Sequence, residues 1–280
     1  GLSGQYLDDT IHQRDRSFAE GMMHFFKSNA MGLVSCEEMN DRRKVEQFYN
    51  DARQQKLNIE QAICHDLPQA IDSYDPKGVV LEPTFFSEVL GIQGRLDFLY
   101  EKDGDVTIIE QKSGKAAFVP FGTGCGSPDI PTPQEKHLVQ LLLYRALFVY
   151  EFQKRSDALR HVMLLYSKFS KGLVAVAPSP RLLLRAMKMR NLLAWCEMLY
   201  ATHGMRLLER LTPASLNRKG ISGRLWNDYI EPQLSSILTP IHEASALERA
   251  YFFRFMQFLE REQLLSKIGN KSKDDSGFAA

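Results

Sequence analysis

Apolar side chains recur at intervals of three and four residues in several stretches of the chain, and this spacing is typical of amphipathic helices. The clearest stripe is formed by Phe18, Met22, Phe25 and Phe26 near the start. The predicted helices cover residues 11–30, 37–67, 134–153, 181–203, 225–238 and 244–267. Helices are therefore expected at both ends of the chain.

Two runs in the middle of the chain, residues 92–101 and 106–112, are rich in β-branched and aromatic residues and predict strands. Between them lies Asp103-Gly104, a preferred two-residue hairpin turn. Further strands are predicted at residues 79–81, 161–166 and 172–177, and a Gly- and Pro-rich loop at 113–133. This order predicts an α/β fold: a central mixed β-sheet flanked by helices, with additional N- and C-terminal helical segments.

The hairpin turn also predicts which side chains meet. If Asp103 and Gly104 are the turn residues, Asp97 lies directly opposite Glu110. Side chains alternate between the two faces of a strand, so Glu110 and Lys112 share a face. Directly opposed residues project to the same side, with Cβ atoms about 5 Å apart. The sequence therefore predicts a cluster of Asp97, Glu110 and Lys112.

Two carboxylates this close repel each other, and a divalent cation removes that cost. Mg²⁺ and Mn²⁺ prefer such oxygen ligands. Lys112 adds a charge that can orient a water molecule or stabilise charge developing on a phosphate. The alternative is a cross-strand salt bridge on a hydrated sheet. Both strands are strongly apolar, which indicates a sheet covered on both faces and favours a functional site.

The composition narrows the class of protein. The 280 residues are 44% hydrophobic and 25% charged, which excludes disordered and collagen-like chains. The four cysteines are far apart, which excludes a disulfide scaffold and favours reduced thiols in the cytoplasm. We find no signal peptide and no run of the ~20 apolar residues that a membrane span needs, so no membrane partner is expected. The absence of an initial Met and the polar final run suggest a piece of a longer protein.

The net charge of +1 conceals an uneven distribution along the chain. Residues 154–224 contain fourteen Lys and Arg but three acidic residues, a net charge of +11, and the remainder carries −10. Such asymmetry is expected where one surface faces phosphates. Solvated helix faces are the alternative, because the charges must also converge in space.

The hairpin residues resemble a known family. Residues 94–97 (Gly-Arg-Leu-Asp) and 108–115 (Ile-Ile-Glu-Gln-Lys-Ser-Gly-Lys) resemble the PD-(D/E)XK nuclease superfamily in its RecB-like branch. That branch has a Q-x-x-x-Y motif on the next helix, which Gln140 and Tyr144 match. The spacing of four residues places both side chains on one helical face. The resemblance implies a restriction-endonuclease-like core.

The resemblance also implies roles for individual residues. The catalytic residues would be Asp97, Glu110 and Lys112. The metal ligands would be Asp97, Glu110, the backbone carbonyl of Gln111, and His24, which matches the family's G-x-x-H motif with Gly21. His65 is the alternative histidine. The residues that would contact the substrate strand are Gln140, Tyr144, Arg95, Lys115, Arg185, Lys188 and Arg190.

Within this superfamily, residues 164–167, 172–174 and 188–191 resemble the nuclease part of DNA replication ATP-dependent helicase/nuclease proteins. In that family a helicase follows the nuclease, so a helicase domain is implied in the full-length protein. The implied domains are a helical segment at 1–70 that carries His24, a nuclease core at 71–205, and a helical segment at 206–280 that leads to the helicase. Many members hold an iron–sulfur cluster on four cysteines. Only Cys196 follows the Gln140 helix here, so no cluster is expected.

The implied activity is Mg²⁺- or Mn²⁺-dependent hydrolysis of phosphodiester bonds in single-stranded or flap DNA, with exonuclease action favoured, as in DNA replication and repair. One alternative is a catalytically inactive nuclease-like module that only binds DNA, although the intact trio argues against it. Others are an RNA-processing or restriction-type nuclease on the same core, and a regulatory domain that binds no nucleic acid. No Walker A motif is present, so these 280 residues should not hydrolyse ATP.

Overall fold

The computed structural model describes residues 2–34, 36–114, 131–152 and 158–269. The chain divides into two compact units, one ending at Leu183 and the other beginning at Leu184. The first unit contains all the β-strands of the described residues, and the second is helical.

The α-helices are α1 (Leu2–Ile11), α2 (Phe18–Ser28), α3 (Ala30–Val34), α4 (Arg42–Gln61), α5 (Leu67–Ala70), α6 (Glu135–Glu151), α7 (Pro180–His203), α8 (Pro213–Leu216), α9 (Glu231–Glu243) and α10 (Ala246–Ile268). The strands are β1 (Val79–Leu81), β2 (Thr84–Ser87), β3 (Ile92–Arg95), β4 (Phe98–Lys102), β5 (Asp105–Lys112), β6 (Leu159–Tyr166) and β7 (Leu173–Ala175). Two π-helical turns, Ala62–Asp66 and Leu225–Ile230, precede α5 and α9.

Five strands form the main sheet in the order β1-β4-β5-β6-β7. Strands β5 and β6 are parallel, and the other neighbouring pairs are antiparallel. A parallel pair needs a crossover connection, and the segment that contains α6 supplies it. The predicted α/β class, a mixed sheet flanked by helices, is therefore confirmed.

One face of the sheet packs against α1, α4 and α5. Phe98, Tyr100 and Ile109 of the sheet form a core cluster with Tyr6 of α1 and Ile59 of α4. Each of the five is at most 3% exposed. Burial of a side chain of this size contributes about 1.5–3 kcal/mol, so this layer fixes the N-terminal helices to the sheet.

Helix α6 covers the other face. Its buried residues include Leu141, Tyr144 and Phe148, and the helix contacts both β5 and β6. Alternate residues of β5 point to opposite faces, so Ile108 and Glu110 lie on this side, away from Ile109. The expectation that the sheet is covered on both faces is confirmed. Glu110 consequently lies beneath a helix.

The strand predicted over residues 92–101 is interrupted. Its first part, β3, pairs with β2 in a separate two-stranded sheet, and its second part, β4, pairs with β1 in the main sheet. The register is the same in both pairings, because Leu81 faces Phe98 and Thr84 faces Arg95. The two pairs of strands are therefore halves of one antiparallel ribbon.

This ribbon, residues 79–87 paired with residues 92–100, bends at Glu82 and Pro83. Proline has no N–H to donate to the ladder, and Glu82 adopts a φ of 50°. The Glu82 N–H instead donates to the carbonyl oxygen of Asp97 at 3.2 Å. The bend therefore places Asp97 at the junction between the two sheets.

The N-terminal prediction is partly wrong. Helix α2 begins at Phe18 rather than at residue 11, because Ser17 and Glu20 form a capping box at that point. The hydrophobic pattern also did not predict α1, which forms a separate helix before it. Helix α1 packs against α2 and α4, so residues 2–28 form two helices where one was expected over residues 11–30.

The second unit is a set of helices built from most of α7 through α10. Ser245 and Glu248 form a capping box that begins α10. The Gln257 side chain of α10 donates to the carbonyl oxygen of Thr202 in α7 at 3.0 Å. The helices predicted at 225–238 and 244–267 correspond to the second π-helical turn with α9, and to α10. Of the helices in the described ranges, none combines the length and apolar character required to span a bilayer.

Gly104 should be required by the hairpin turn for its backbone conformation alone. A Cβ at this position would meet no atom within 4 Å, but the φ of +87° is strained for any other residue. We expect Gly104→Ala to lower the free energy of unfolding by about 1–2 kcal/mol, measured by urea denaturation. Gly114→Ala is the matched control, because its Cβ is equally unobstructed and its φ is ordinary. Equal effects of the two substitutions would contradict this explanation.

Candidate active site

The predicted hairpin register is the one observed. Phe98 faces Ile109 and Lys102 faces Asp105, with Asp103 and Gly104 both at positive φ in the turn. One further step along the register of β4 and β5 places Asp97 beside Glu110. Asp97 lies just before β4, and its carboxylate Oδ2 accepts a hydrogen bond from the Gln111 backbone N–H at 2.7 Å.

Glu110 is 4% exposed and is the centre of the cluster. Its Oε1 accepts hydrogen bonds from Lys112 Nζ at 2.7 Å and from Gln140 Nε2 at 2.8 Å. Its Oε2 is also buried, and within the described residues it has no hydrogen-bond partner. An ionised carboxylate oxygen without a partner is costly in the protein interior, so this atom is available for a cation or a donor.

Gln140 connects the strand to α6. Its Oε1 accepts from Lys112 Nζ at 2.7 Å, and its Nε2 donates to the hydroxyl oxygen of Tyr144 at 3.2 Å as well as to Glu110. The Tyr144 hydroxyl in turn donates to the carbonyl oxygen of Arg95 at 2.7 Å. The two residues of the Q-x-x-x-Y motif therefore lie in one hydrogen-bonded chain with Lys112 and Glu110.

The backbone next to Tyr144 must be glycine. A Cβ on Gly94 would lie 2.4 Å from Cε1 of the Tyr144 ring. A glycine inside a strand often marks such a close approach, and this was the sequence signal that could have drawn attention to Gly94. The contact fixes the position of β3 relative to α6.

Burial dominates the electrostatics of the two carboxylates. It raises the pKa of Asp97 and that of Glu110, and for Glu110 the nearby Asp97 charge raises it further. Lys112 opposes both shifts, as does the Gln111 N–H for Asp97. The pair is therefore held in a site where the protein alone does not fully compensate two negative charges.

Three residues to which the sequence analysis assigned no role support the end of β5. The Ser167 N–H donates to the carbonyl oxygen of Lys112 at 3.0 Å. Asn58 of α4 donates its side-chain N–H to the Ser167 carbonyl at 2.9 Å, and the Ser167 hydroxyl donates to Gln55 at 2.8 Å. Asn58 and Ser167 are both buried and 109 residues apart. No local pattern in the sequence could have revealed this pairing.

His137 is a further residue that the sequence analysis missed. Its Nδ1 lies 2.9 Å from the Tyr166 hydroxyl, which also accepts from the Gln134 backbone N–H at 3.2 Å. Partial burial and then the charge of Lys112 lower the pKa of His137. Its position one helical turn before Gln140, on the same helical face, was the feature of the sequence that could have indicated that His137 lies near the cluster.

His24 and the Gln111 side chain lie around α1. His24 is exposed on α2, and its Nδ1 is 3.1 Å from Gln5 Oε1 of α1. The Gln111 side chain donates to the carbonyl oxygen of Ser3 at 3.1 Å. Across the described ranges no three His, Cys, Asp or Glu side chains are grouped as a metal site. Within those ranges, His24 is thus not grouped with Asp97 and Glu110.

The expected phosphate contacts are distributed over both units. Arg95 is exposed on β3 and pairs with Glu82, with 3.3 Å between Nη1 and Oε2. Lys115 lies outside the described residues. The remaining three basic residues lie on α7 in the second unit: Arg185, Lys188 and Arg190.

The donor set fits a small hard cation. Asp97 and Glu110 supply carboxylate oxygens, one of which is buried without a partner in the described residues. Mg²⁺ is commonly held by one or two protein carboxylates, with waters and substrate phosphates completing its shell. The absence of a third carboxylate or histidine in the described cluster is compatible with that mode of binding.

The comparisons with known proteins identify no family. A scan against protein-family models matches none, and a search of curated proteins finds no match. The residues and their geometry are therefore what indicates a function. The buried Glu110 carboxylate, the Lys112 ammonium group and the Gln140 amide form one hydrogen-bonded cluster, and the partly buried Asp97 carboxylate lies beside it.

The contact between Gly94 and Tyr144 can be measured by a double-mutant cycle. We expect Gly94→Ala to cost about 1–3 kcal/mol of unfolding free energy, because the added methyl group displaces the tyrosine ring. In a Tyr144→Ala background, which removes the ring, the same substitution should cost little. If the losses in unfolding free energy caused by the two substitutions simply add in denaturant unfolding, the tyrosine ring is not the reason that position 94 requires glycine.

Proposed function

We propose that this chain is a metal-dependent deoxyribonuclease with a PD-(D/E)XK core of the RecB-like branch. The observation that carries the proposal is the Glu110 carboxylate. It is buried next to Asp97, its Oε1 is bonded to Lys112 and Gln140, and its Oε2 has no partner in the described structure. A plain salt bridge between Glu110 and Lys112 would not require a second, partly buried carboxylate at this point.

The residues of the candidate active site would have separate roles in hydrolysis. Asp97 and Glu110 hold the cation, which when bound lowers the pKa of a water ligand and neutralises charge on the scissile phosphate. The described hydrogen bonds use two of the three N–H groups of the Lys112 ammonium. The third can donate to a phosphate oxygen or to the attacking water. Gln140 holds the ammonium in place, and Tyr144 holds Gln140.

Single-stranded or flap DNA is the proposed substrate, and the chain acts as the nuclease part of a helicase–nuclease. The motif resemblance supports this assignment, and so does the basic segment at residues 154–224, with its net charge of +11. The basic side chains Arg185 and Lys188 are exposed on α7, as phosphate contacts require.

The nuclease proposal predicts a metal-dependent activity that requires Lys112. We expect the protein to cleave end-labelled single-stranded DNA with Mg²⁺ or Mn²⁺ and not with EDTA. Lys112→Ala should lower the rate at least about 100-fold, because it removes the donor that stabilises charge on the phosphate. The label pattern gives the polarity of cleavage.

Lys102→Ala is the matched control for this experiment. Lys102 lies on the same hairpin, but its ammonium donates to the carbonyl oxygen of Ser73, away from the cluster. The control should cleave like the wild type. Wild-type protein that binds DNA but leaves it intact in both metals would favour the inactive binding module instead.

Asp97 should be destabilising without metal and stabilising with it. Its raised pKa means that the ionised carboxylate is disfavoured in the folded state, at a cost absent in acid and complete above the folded-state pKa. At pH 7 in EDTA we expect Asp97→Asn to raise Tm by about 1–4 °C. As the pH falls through the raised folded-state pKa this difference should shrink, and below about pH 4 it should vanish.

Addition of Mn²⁺ tests the same pair of carboxylates directly. Binding to the folded state should raise the Tm of the wild type and leave that of Asp97→Asn nearly unchanged. Asp105→Asn removes an exposed carboxylate at the opposite end of the hairpin and should respond to Mn²⁺ like the wild type. Equal responses of all three proteins would place the metal elsewhere.

A further inference from the structure

The half of the bent ribbon formed by β2 and β3 has one covered face and one exposed face. On the covered face, Phe85 packs edge-on against Phe148 of α6 with ring centroids 4.9 Å apart, and Gly94 lies against Tyr144. Alternation places the side chains in between on the opposite face. This outer ribbon face consists of Thr84, Phe86, Gln93 and Arg95, all of them exposed.

Phe86 is an unusual residue for such a position. It is 67% exposed on a strand whose other face is packed, so its ring is presented by a supported backbone rather than by a free loop. A single exposed apolar residue is common and needs no explanation. The arginine on the same face makes this position different.

Arg95 lies diagonally across the ribbon from Phe86, because Phe86 faces Gln93 and Arg95 is the next residue on that side of β3. Diagonal neighbours in an antiparallel pair are about 7–8 Å apart, within reach of long side chains. The register therefore places an aromatic residue and an arginine as diagonal neighbours on the outer ribbon face.

Arg95 also connects this face to the candidate active site. Its carbonyl oxygen accepts the Tyr144 hydroxyl, and Asp97 follows two residues later. Its guanidinium group pairs only with an exposed carboxylate in the described residues, that of Glu82 at 3.3 Å. A pair this exposed is worth little, so a phosphate could replace Glu82 as the partner of Arg95.

We propose that the outer ribbon face is a subsite for an unpaired nucleotide, in which a base stacks on Phe86 and the adjoining phosphate binds Arg95. The proposal rests on the proposed nuclease function and names the residues that would bind an unpaired nucleotide of its substrate. A base can stack on a side chain only when it is free of its complementary strand, so the subsite selects single-stranded nucleic acid beside the site of cleavage.

Equilibrium binding in EDTA tests the subsite without cleavage. The probe is an oligo-dT with one 2-aminopurine, whose fluorescence falls when the base stacks on an aromatic ring. We expect Phe86→Leu to weaken binding on the order of 10-fold and to abolish the quenching at one probe position. Phe86→Trp should retain both properties, because it keeps an aromatic surface.

Val89→Ala is the control, since this residue is 79% exposed at the tip of the same ribbon without a ring or a neighbouring arginine. It should bind like the wild type. Binding of duplex DNA of the same length should be unaffected by Phe86→Leu. Loss of affinity for duplex and single strand alike would overturn the stacking role.

The salt dependence separates the two halves of the subsite. Phe86→Leu should leave the slope of log K against log salt unchanged, because no ion pair is lost. Arg95→Gln should reduce the slope by about 0.7, the contribution of one phosphate contact on a single strand. Glu82→Gln should tighten binding at low salt, because it releases Arg95 for the phosphate.

The subsite and the nuclease function can fail separately. If the wild type cleaves DNA in a Lys112-dependent manner while Phe86→Leu binds and quenches normally, the subsite is wrong and the nuclease proposal stands. If Phe86→Leu loses binding while neither the wild type nor any variant cleaves DNA, the subsite is supported and the nuclease proposal is wrong. If the wild type binds no single-stranded DNA even at low salt, both are wrong.

Discussion

The buried charge of Glu110 is the constraint on which the arrangement of the first unit depends. A carboxylate under a helix is stable only when donors or cations surround it, and its burial otherwise costs several kcal/mol. Strand β5 places the carboxylate, Lys112 follows two residues later on the same face, and α6 crosses at the point where Gln140 reaches it. The strand, the crossover helix and the lysine thus satisfy one electrostatic requirement together.

The same hydrogen bonds couple distant parts of the unit. Gln140 is held by Tyr144, Tyr144 is held by the Arg95 carbonyl, and the absence of a side chain at Gly94 lets the ring approach the ribbon. On the opposite side, Ser167 joins the end of β5 to α4. The position of the carboxylates is therefore determined from both faces of the sheet, not by the hairpin alone.

The sequence predicted the parts of this structure that local rules control. The Asp103-Gly104 turn and the alternation of side chains were enough to place Asp97 beside Glu110, because both follow from the register of one hairpin. The existence of α1 was not predicted, since it depends on packing against distant segments. The bend at Glu82 and Pro83 was not predicted either, although the proline was a local signal for it. The pairing of Asn58 with Ser167 has no local signature at all. Of the residues that the motif resemblance singled out, Gln140 and Tyr144 lie in the hydrogen-bonded cluster of Glu110, whereas within the described residues His24 is not grouped with the two carboxylates.

The parallel pairing of β5 with β6 has a consequence for the order of folding. The hairpin of β4 and β5 forms from neighbouring residues, whereas the β5–β6 pair must wait for the whole crossover to close. During synthesis the ribosome delivers Asp97 43 residues and Glu110 30 residues before Gln140. A nascent chain that has only the hairpin keeps its two carboxylates in water, so it has no competent site. Completion of the crossover both buries the charges and assembles their partners, which ties any activity of this cluster to the cooperative closure of the sheet.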